Sequence, residues 1–200
     1  MKKKILAKMS NSKELVKQLR QMTGAGILDC KKYLDKANNN IDDAVKLFRS
    51  EAGVKANKKG SRIAAEGIVN FYEDNDSILL LELNSETDFV ARDSNFLELA
   101  QSIGTTLLSN DNNDNKILDD ITTAISKLGE NIKLRRHVKI SKKNSVYGYS
   151  HNNKIAALVE LKNNDENLAK DVCMQIVASN PLALDETSLD QIFFSQKRNL

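Results

Sequence analysis

Leu81-Glu-Leu-Asn-Ser-Glu-Thr-Asp-Phe-Val-Ala-Arg92 is the stretch on which the reading of the fold turns. It continues a run that begins at Ser77, and Ile78-Leu79-Leu80-Leu81 has the unbroken hydrophobicity of a strand buried on both faces. Asn84 to Thr87 then read as a short polar turn, after which Asp88, Phe89 and Val90 lead into a helical pattern near Asp93. An aromatic beside a carboxylate at the exit of a stiff strand lies where scaffold-held loops carry function. Most phenylalanines are buried, so Phe89 also reads as core, tucked under the following helix.

Working outward, Gly67 to Tyr72, a turn at Asp74-Asn75-Asp76 and Ser77 to Leu83 predict a β-hairpin. The helix from Asp93 aligns Phe96, Ala100, Ile103 and Leu107. Beyond a polar loop at Asn110 to Asn115, a second helix aligns Ile117, Ile121, Ala124 and Leu128 and stops at Gly129. Ile132 to Ile140 alternates as a strand despite five basic residues. Val146 to Tyr149, a turn at His151-Asn152-Asn153 and Ile155 to Leu161 predict another hairpin, followed by a helix with Leu168, Val172 and Ile176 on one face. Leu80 to Leu83 corresponds to Leu158 to Leu161, and Phe71 to Tyr149, at one constant spacing. That spacing implies a duplicated hairpin–helix module. Only the first copy carries Thr87-Asp88-Phe89-Val90; the second has Asp165-Glu166-Asn167-Leu168.

Upstream, residues 1–11 read as a frayed leader, and Ser12 as the cap of a helix bearing Leu15, Val16, Leu19 and Met22. After the tight corner at Gly24 to Gly26, a second helix places Ile27, Cys30, Leu34 and Ala37 on one face. Asn40 caps a third, with Ile41, Ala44, Val45 and Phe48, ending at Gly53. The organisation expected is a leader at 1–11, a three-helix domain at 12–54, a basic linker at 55–64, and core subdomains at 65–140 and 141–200. Pro181 breaks the chain, and Leu189, Ile192 and Phe193 suggest one more helix.

Composition narrows the function. Of 200 residues, 40% are hydrophobic and 28% charged, ordinary for a soluble globular protein, and the order of helices and hairpins makes the expected fold class α+β. No apolar run reaches membrane-spanning length, and the basic start Met1 to Lys4 is followed by only three apolar residues, too few for a secretory core. A cytoplasmic protein is expected. Cys30 and Cys173 form no disulfide framework, and His137 and His151 make no repeated metal pattern. A net charge of +3 implies no nucleic-acid partner, although the clusters Lys55 to Arg62 and Arg135 to Lys143 keep an RNA-binding or ribosome-associated module as the alternative. Thr23 to Gly26 lacks the lysine and preceding strand of a phosphate loop. Cys30 beside Lys31 could be an activated thiol, but it lies on the apolar stripe of its helix, as a core cysteine would. No cofactor, metal site or catalytic residue is implied.

Three motifs in order carry a resemblance: Thr23-Gly-Ala-Gly-Ile-Leu-Asp-Cys-Lys-Lys32, Thr87-Asp-Phe-Val-Ala-Arg92, and Lys127-Leu-Gly-Glu-Asn-Ile132 with Arg135-Arg136. Together they resemble the elongation factor Ts family, nucleotide exchange factors of translation. The resemblance implies a ubiquitin-associated-like N-terminal domain and guanine-nucleotide exchange on elongation factor Tu, in its GDP-bound and nucleotide-free forms. It implies that Thr87, Asp88, Phe89 and Val90 displace the partner's magnesium, Phe89 as wedge and Asp88 as polar tip. It also implies secondary contacts by Lys31, Lys32, Leu128, Gly129 and His151. Each has a plainer reading: exposed charge for the lysines, a helix C-cap for Leu128 and Gly129, a turn residue for His151. Longer members continue into a dimerisation insert about where this sequence stops, which leaves homodimerisation open and would leave Phe193 and Phe194 uncovered.

Overall fold

The computed structural model describes the backbone of residues 2–109, 113–185 and 187–188, with side chains from residue 12 onward. Among the described residues the chain is α+β. The elements run α1 (Lys2–Thr23), α2 (Ile27–Lys36), α3 (Ile41–Lys59), β1 (Glu66–Glu73), β2 (Ser77–Ser85), α4 (Asp88–Ala91), α5 (Ser94–Leu108), α6 (Asp114–Leu128), β3 (Lys133–Ser141), β4 (Ser145–His151), β5 (Ile155–Leu161) and α7 (Glu166–Ser179). They divide into two compact units, Met1–Ile68 with Leu81–His137, and Val69–Leu80 with Val138–Leu200. No helix among the described residues is long and apolar enough to cross a membrane.

In the first unit, α1, α2 and α3 close around Leu19, Cys30, Tyr33, Leu34, Ala44 and Phe48. Tyr33 meets Phe48 edge to face, with ring centroids 5.7 Å apart. Its hydroxyl reaches the rim and donates to Glu51 Oε2 at 2.9 Å, so the buried ring leaves no polar atom unpaired. Asn40 caps α3 by accepting from the Asp43 amide at 3.2 Å, as its type and position predict. α5 buries Phe96, Leu99, Ala100 and Ile103, and α6 buries Ile117, Ala124 and Ile125.

The strand order β1-β2-β3 makes β2 central. That accounts for its composition: Ile78 and Leu79 point to opposite faces and both are fully buried, as are Leu81 and Leu83. β1 approaches β2 so closely at Gly67 (φ +141°) that a Cβ there would lie 2.1 Å from the Leu83 carbonyl oxygen. Only glycine fits that contact. The Asp74 carboxylate accepts from the amides of Asp76 and Ser77 and closes the turn into β2; those backbone hydrogen bonds hold it below the usual carboxylate range.

In the second unit, β4 and β5 pair antiparallel from Ser145↔Leu161 to His151↔Ile155, around a turn with positive φ at Asn152 and Asn153. Asp165 caps α7, accepting from the Leu168 amide at 2.9 Å. The helix lays Cys173 against Ala157 and Val159. The Cys173 thiol donates to the Ala157 carbonyl at 3.2 Å.

Several expectations need correcting. α1 begins at Lys2, so Ser12 lies inside a helix and does not cap one; no glycine or proline stands between them to stop it. α3 runs through Gly53 to Lys59, absorbing the first part of the expected linker. Gly53 has open space where a side chain would sit, so nothing forces a break there. Met22 and Ile27, assigned to apolar stripes, are 61% and 58% exposed, while Tyr33 takes the inner position. On α7 the inward face is Ala169 and Cys173, with Leu168 half exposed. The turn expected at Asn84 to Thr87 is partly strand, because β2 continues to Ser85. The positions of Leu189, Ile192, Phe193 and Phe194 lie outside the described residues.

Candidate functional site

Beyond Ser85 the chain leaves the sheet and turns at once into the one-turn helix α4. The Ser85 hydroxyl is fully buried and donates to the Thr87 carbonyl at 2.9 Å, which sets the angle of exit. Thr87 is extended (φ −124°, ψ 158°), and its hydroxyl accepts from the Val90 amide at 3.4 Å as an N-cap. Ala91 is buried beneath the turn. Successive helical residues are rotated by about 100°, so the position two before a buried one points nearly the opposite way. That position is Phe89, and it is 83% exposed. The reading of Phe89 as core under the next helix is therefore overturned: the inward place goes to Ala91. Asp88 stands beside it with its carboxylate 3.0 Å from the Arg92 guanidinium, both in reach of solvent.

The turn is gripped from outside its own sequence. The Glu130 carboxylate accepts from the Thr87 hydroxyl at 2.6 Å with one oxygen and from the Thr87 amide at 3.0 Å with the other. In the reverse sense, Glu86 accepts from the Asn131 amide at 2.6 Å. Asn131, itself buried, donates to the Arg62 carbonyl at 2.7 Å, and the Arg62 guanidinium lies 3.5 Å from Glu86. Gly129 makes this corner possible: it is left-handed (φ +82°) and ends α6 with its amide on the Ile125 carbonyl. Lys59, in the last turn of α3, donates to the Gly129 carbonyl at 2.5 Å. On the far side, Asp93 caps α5 by accepting from the Asn95 amide at 2.8 Å; hydrogen bonds from Asn95 hold its carboxyl below the usual range. Lys127 bonds the Asn95 side chain, tying α6 to α5.

The structure thus brings together two of the motifs. Thr87 to Val90 and the corner that follows Leu128 and Gly129 form one hydrogen-bonded assembly. Leu128 is half-buried and Gly129 exposed. Lys31 and Lys32 are exposed on α2. Lys31 joins Lys13, Lys17 and Arg20 around an open groove of about 590 Å³ whose apolar wall includes Val16 and Ile27. His151 belongs to the second unit and ends β4, exposed, with its Nδ1 3.3 Å from the Tyr149 hydroxyl and its Nε2 3.2 Å from Asn152. Sequence reasoning missed Arg62, Glu86, Glu130 and Asn131 as supports of the turn. The one available signal was that Glu130 and Asn131 sit inside one recognised motif and Glu86 directly precedes another.

The assembly presents an oily ring and an acid on one turn. Both thiols are buried: Cys30 lies 3.6 Å from the Ala25 carbonyl, and burial pushes both cysteines above their ordinary pKa, the opposite of activation. Among the described residues no group of three or more His, Cys, Asp or Glu could hold a metal.

Comparison with known proteins agrees with the motifs. The family model described as "Elongation factor TS" matches residues 86–200. Elongation factor Ts of Clostridium acetobutylicum is 42% identical over 211 residues, covering 94% of this chain and 69% of the relative. That of Thioalkalivibrio sulfidiphilus is 37% identical over 207 residues, covering 96% and 71%, and that of Alkalilimnicola ehrlichii 42% over 195 residues, covering 90% and 67%. The chain spans about two thirds of each relative's length. With identity at this level across nearly its whole length, the chain belongs to the elongation factor Ts family.

Proposed function

We propose that the chain promotes release of GDP from elongation factor Tu by binding its G domain and disturbing the magnesium and phosphate site with the Thr87–Val90 turn. The observation that carries this reading is the 83% exposure of Phe89 on a turn held by hydrogen bonds at Thr87. A large ring kept in water on a stiff support is suited to filling a partner's apolar crevice. Asp88 supplies the polar tip. Its surface pairing with Arg92 contributes little and can be exchanged for a partner's polar group.

An exchanger does no covalent chemistry. It binds a partner conformation in which nucleotide contacts are broken, and by linkage it weakens nucleotide affinity by the factor by which nucleotide weakens its own binding. The chain therefore engages both the GDP-bound and the nucleotide-free partner, in the cytoplasm where translation runs. Lys31, at the edge of the basic groove, and the exposed Lys32 contribute electrostatically, the Leu128–Gly129 corner by shape, and His151 by a hydrogen bond from its exposed ring. The same reading assigns the three-helix segment to the ubiquitin-associated class and the two hairpin–helix segments to a duplicated module.

The test is release of fluorescent GDP from purified elongation factor Tu, with and without the chain. Acceleration that saturates with chain concentration is expected; an unchanged rate at every concentration would end the proposal.

A further inference from the structure

We propose that Glu130, assisted by Glu86, is a positioning residue for exchange: it does not meet the partner but fixes the direction in which Phe89 points. This rests on the exchange reading above and concerns the same site. A four-residue helix cannot hold itself, because its first turn fixes several residues for a single hydrogen bond. α4 therefore takes its geometry from its cap, and the cap residue Thr87 takes its own from Glu130. Both carboxylate oxygens are used, one on the Thr87 hydroxyl and one on the Thr87 amide. This bidentate grip fixes the hydroxyl proton toward Glu130 and leaves the Thr87 oxygen lone pair for Val90.

Glu86 closes the clasp in the opposite direction through the Asn131 amide, and Lys59, at the end of α3, and Arg62, just beyond it, bind the same corner. The turn is thus gripped by groups distant in sequence, so its orientation is set by tertiary structure. Glu130 is only partly accessible behind the turn, while Phe89 faces out. Replacing one Glu130 oxygen with an amide NH₂ sets a donor against one of the two Thr87 donors, and the grip becomes single.

The experiment measures GDP release from elongation factor Tu against chain concentration for Glu130→Gln, Thr87→Val, Thr87→Ser, the double variant Glu130→Gln/Thr87→Val, and Phe89→Ala, with a melting curve for each. Glu130→Gln and Thr87→Val should each lower the maximal release rate about tenfold while moving the half-saturating concentration by less than about threefold. The double variant should lose less than the product of the two single losses, because both variants act on the shared bond between the Thr87 hydroxyl and Glu130. Thr87→Ser restores the hydroxyl that Thr87→Val removes and should recover most of the rate lost in Thr87→Val, at unchanged melting temperature. Wild-type maximal rates in Glu130→Gln and Thr87→Val, or losses that multiply in the double variant, would overturn the inference. So would losses that follow a fall in melting temperature. Should Phe89→Ala slow release while Glu130→Gln and Thr87→Val do not, the clasp alone fails; should Phe89→Ala release at the full rate, the exchange reading fails and the clasp with it.

Discussion

On the proposed reading, replacing Phe89 with alanine should separate stability from function. The ring is 83% exposed, so its removal uncovers almost no apolar surface within the molecule. The helix turn beneath it is held by Thr87, Glu130 and the buried Ala91, none of which the substitution alters. Folding stability should therefore change by no more than about 0.5 kcal/mol, the usual range for surface positions. If the ring enters a partner crevice during exchange, its truncation forfeits about 2 kcal/mol, the lower bound for a buried aromatic anchor. At about 1.4 kcal/mol per factor of ten, this corresponds to a loss of about 30-fold in exchange efficiency. Stopped-flow release of fluorescent GDP from elongation factor Tu, read at subsaturating chain, measures that efficiency, and a urea titration measures the stability. Release within about twofold of wild type, with stability intact, would refute the wedge. A loss of several kcal/mol in the urea titration would refute the placement of the ring in solvent.

Other outcomes follow from the packing. Gly67→Ala should destabilise the fold by about 2–4 kcal/mol in chemical denaturation, since its Cβ would meet the Leu83 carbonyl oxygen at 2.1 Å on a backbone with φ +141°. Tyr33 is pushed up to about 12, first by burial and then by its hydrogen bond to Glu51 and that residue's charge. Its contribution is therefore complete below the unfolded tyrosine pKa near 10 and lost as pH rises toward 12, because the unfolded chain releases the proton first. Denaturation midpoints should fall across that window, and the fall should be shallower in Tyr33→Phe. Cys30→Ala should leave GDP-release acceleration unchanged at a stability cost of about 1 kcal/mol, because the thiol is buried core; abolished acceleration at intact stability would restore the thiol-enzyme reading.

Much of the fold was legible because the relevant signals are local. The run Ile78 to Leu81 identified β2 as buried on both faces, and Gly129 marked the end of α6 at the residue where the left-handed cap stands. The misplacements also have local causes. Gly53 reads as a stop in the sequence, but a helix continues through glycine wherever tertiary packing outweighs its entropy, and α3 runs on to Lys59. Met22 and Ile27 flank the tight corner between α1 and α2, where periodicity no longer decides which face is inward. For the site, the motif marked Thr87 to Val90, yet a lone phenylalanine has no period from which exposure can be inferred. The Glu130 contacts join residues 43 positions apart, and Glu86 meets Asn131 across 45, so no window along the sequence contains either pair.

The same distances explain how the tip can be both exposed and stiff. An apolar ring in water is driven to fold back onto its own chain. A loose loop would let it do so, and would have to be ordered again on binding, at a cost of about 0.5–1.5 kcal/mol for each immobilised side chain. Here two opposing constraints remove that freedom. Ala91 is small enough for the turn to lie flat against the core, which directs Phe89 away from it. Glu130 and Glu86 then hold the start of the turn to the corner at Gly129 to Asn131, so the turn cannot rotate to bring the ring inward. The ordering cost is met when the chain folds, drawing on burial elsewhere in the unit. If the ring enters a partner's crevice as proposed, what it gains there is available to change the partner, which is the requirement for an exchanger that acts by binding alone.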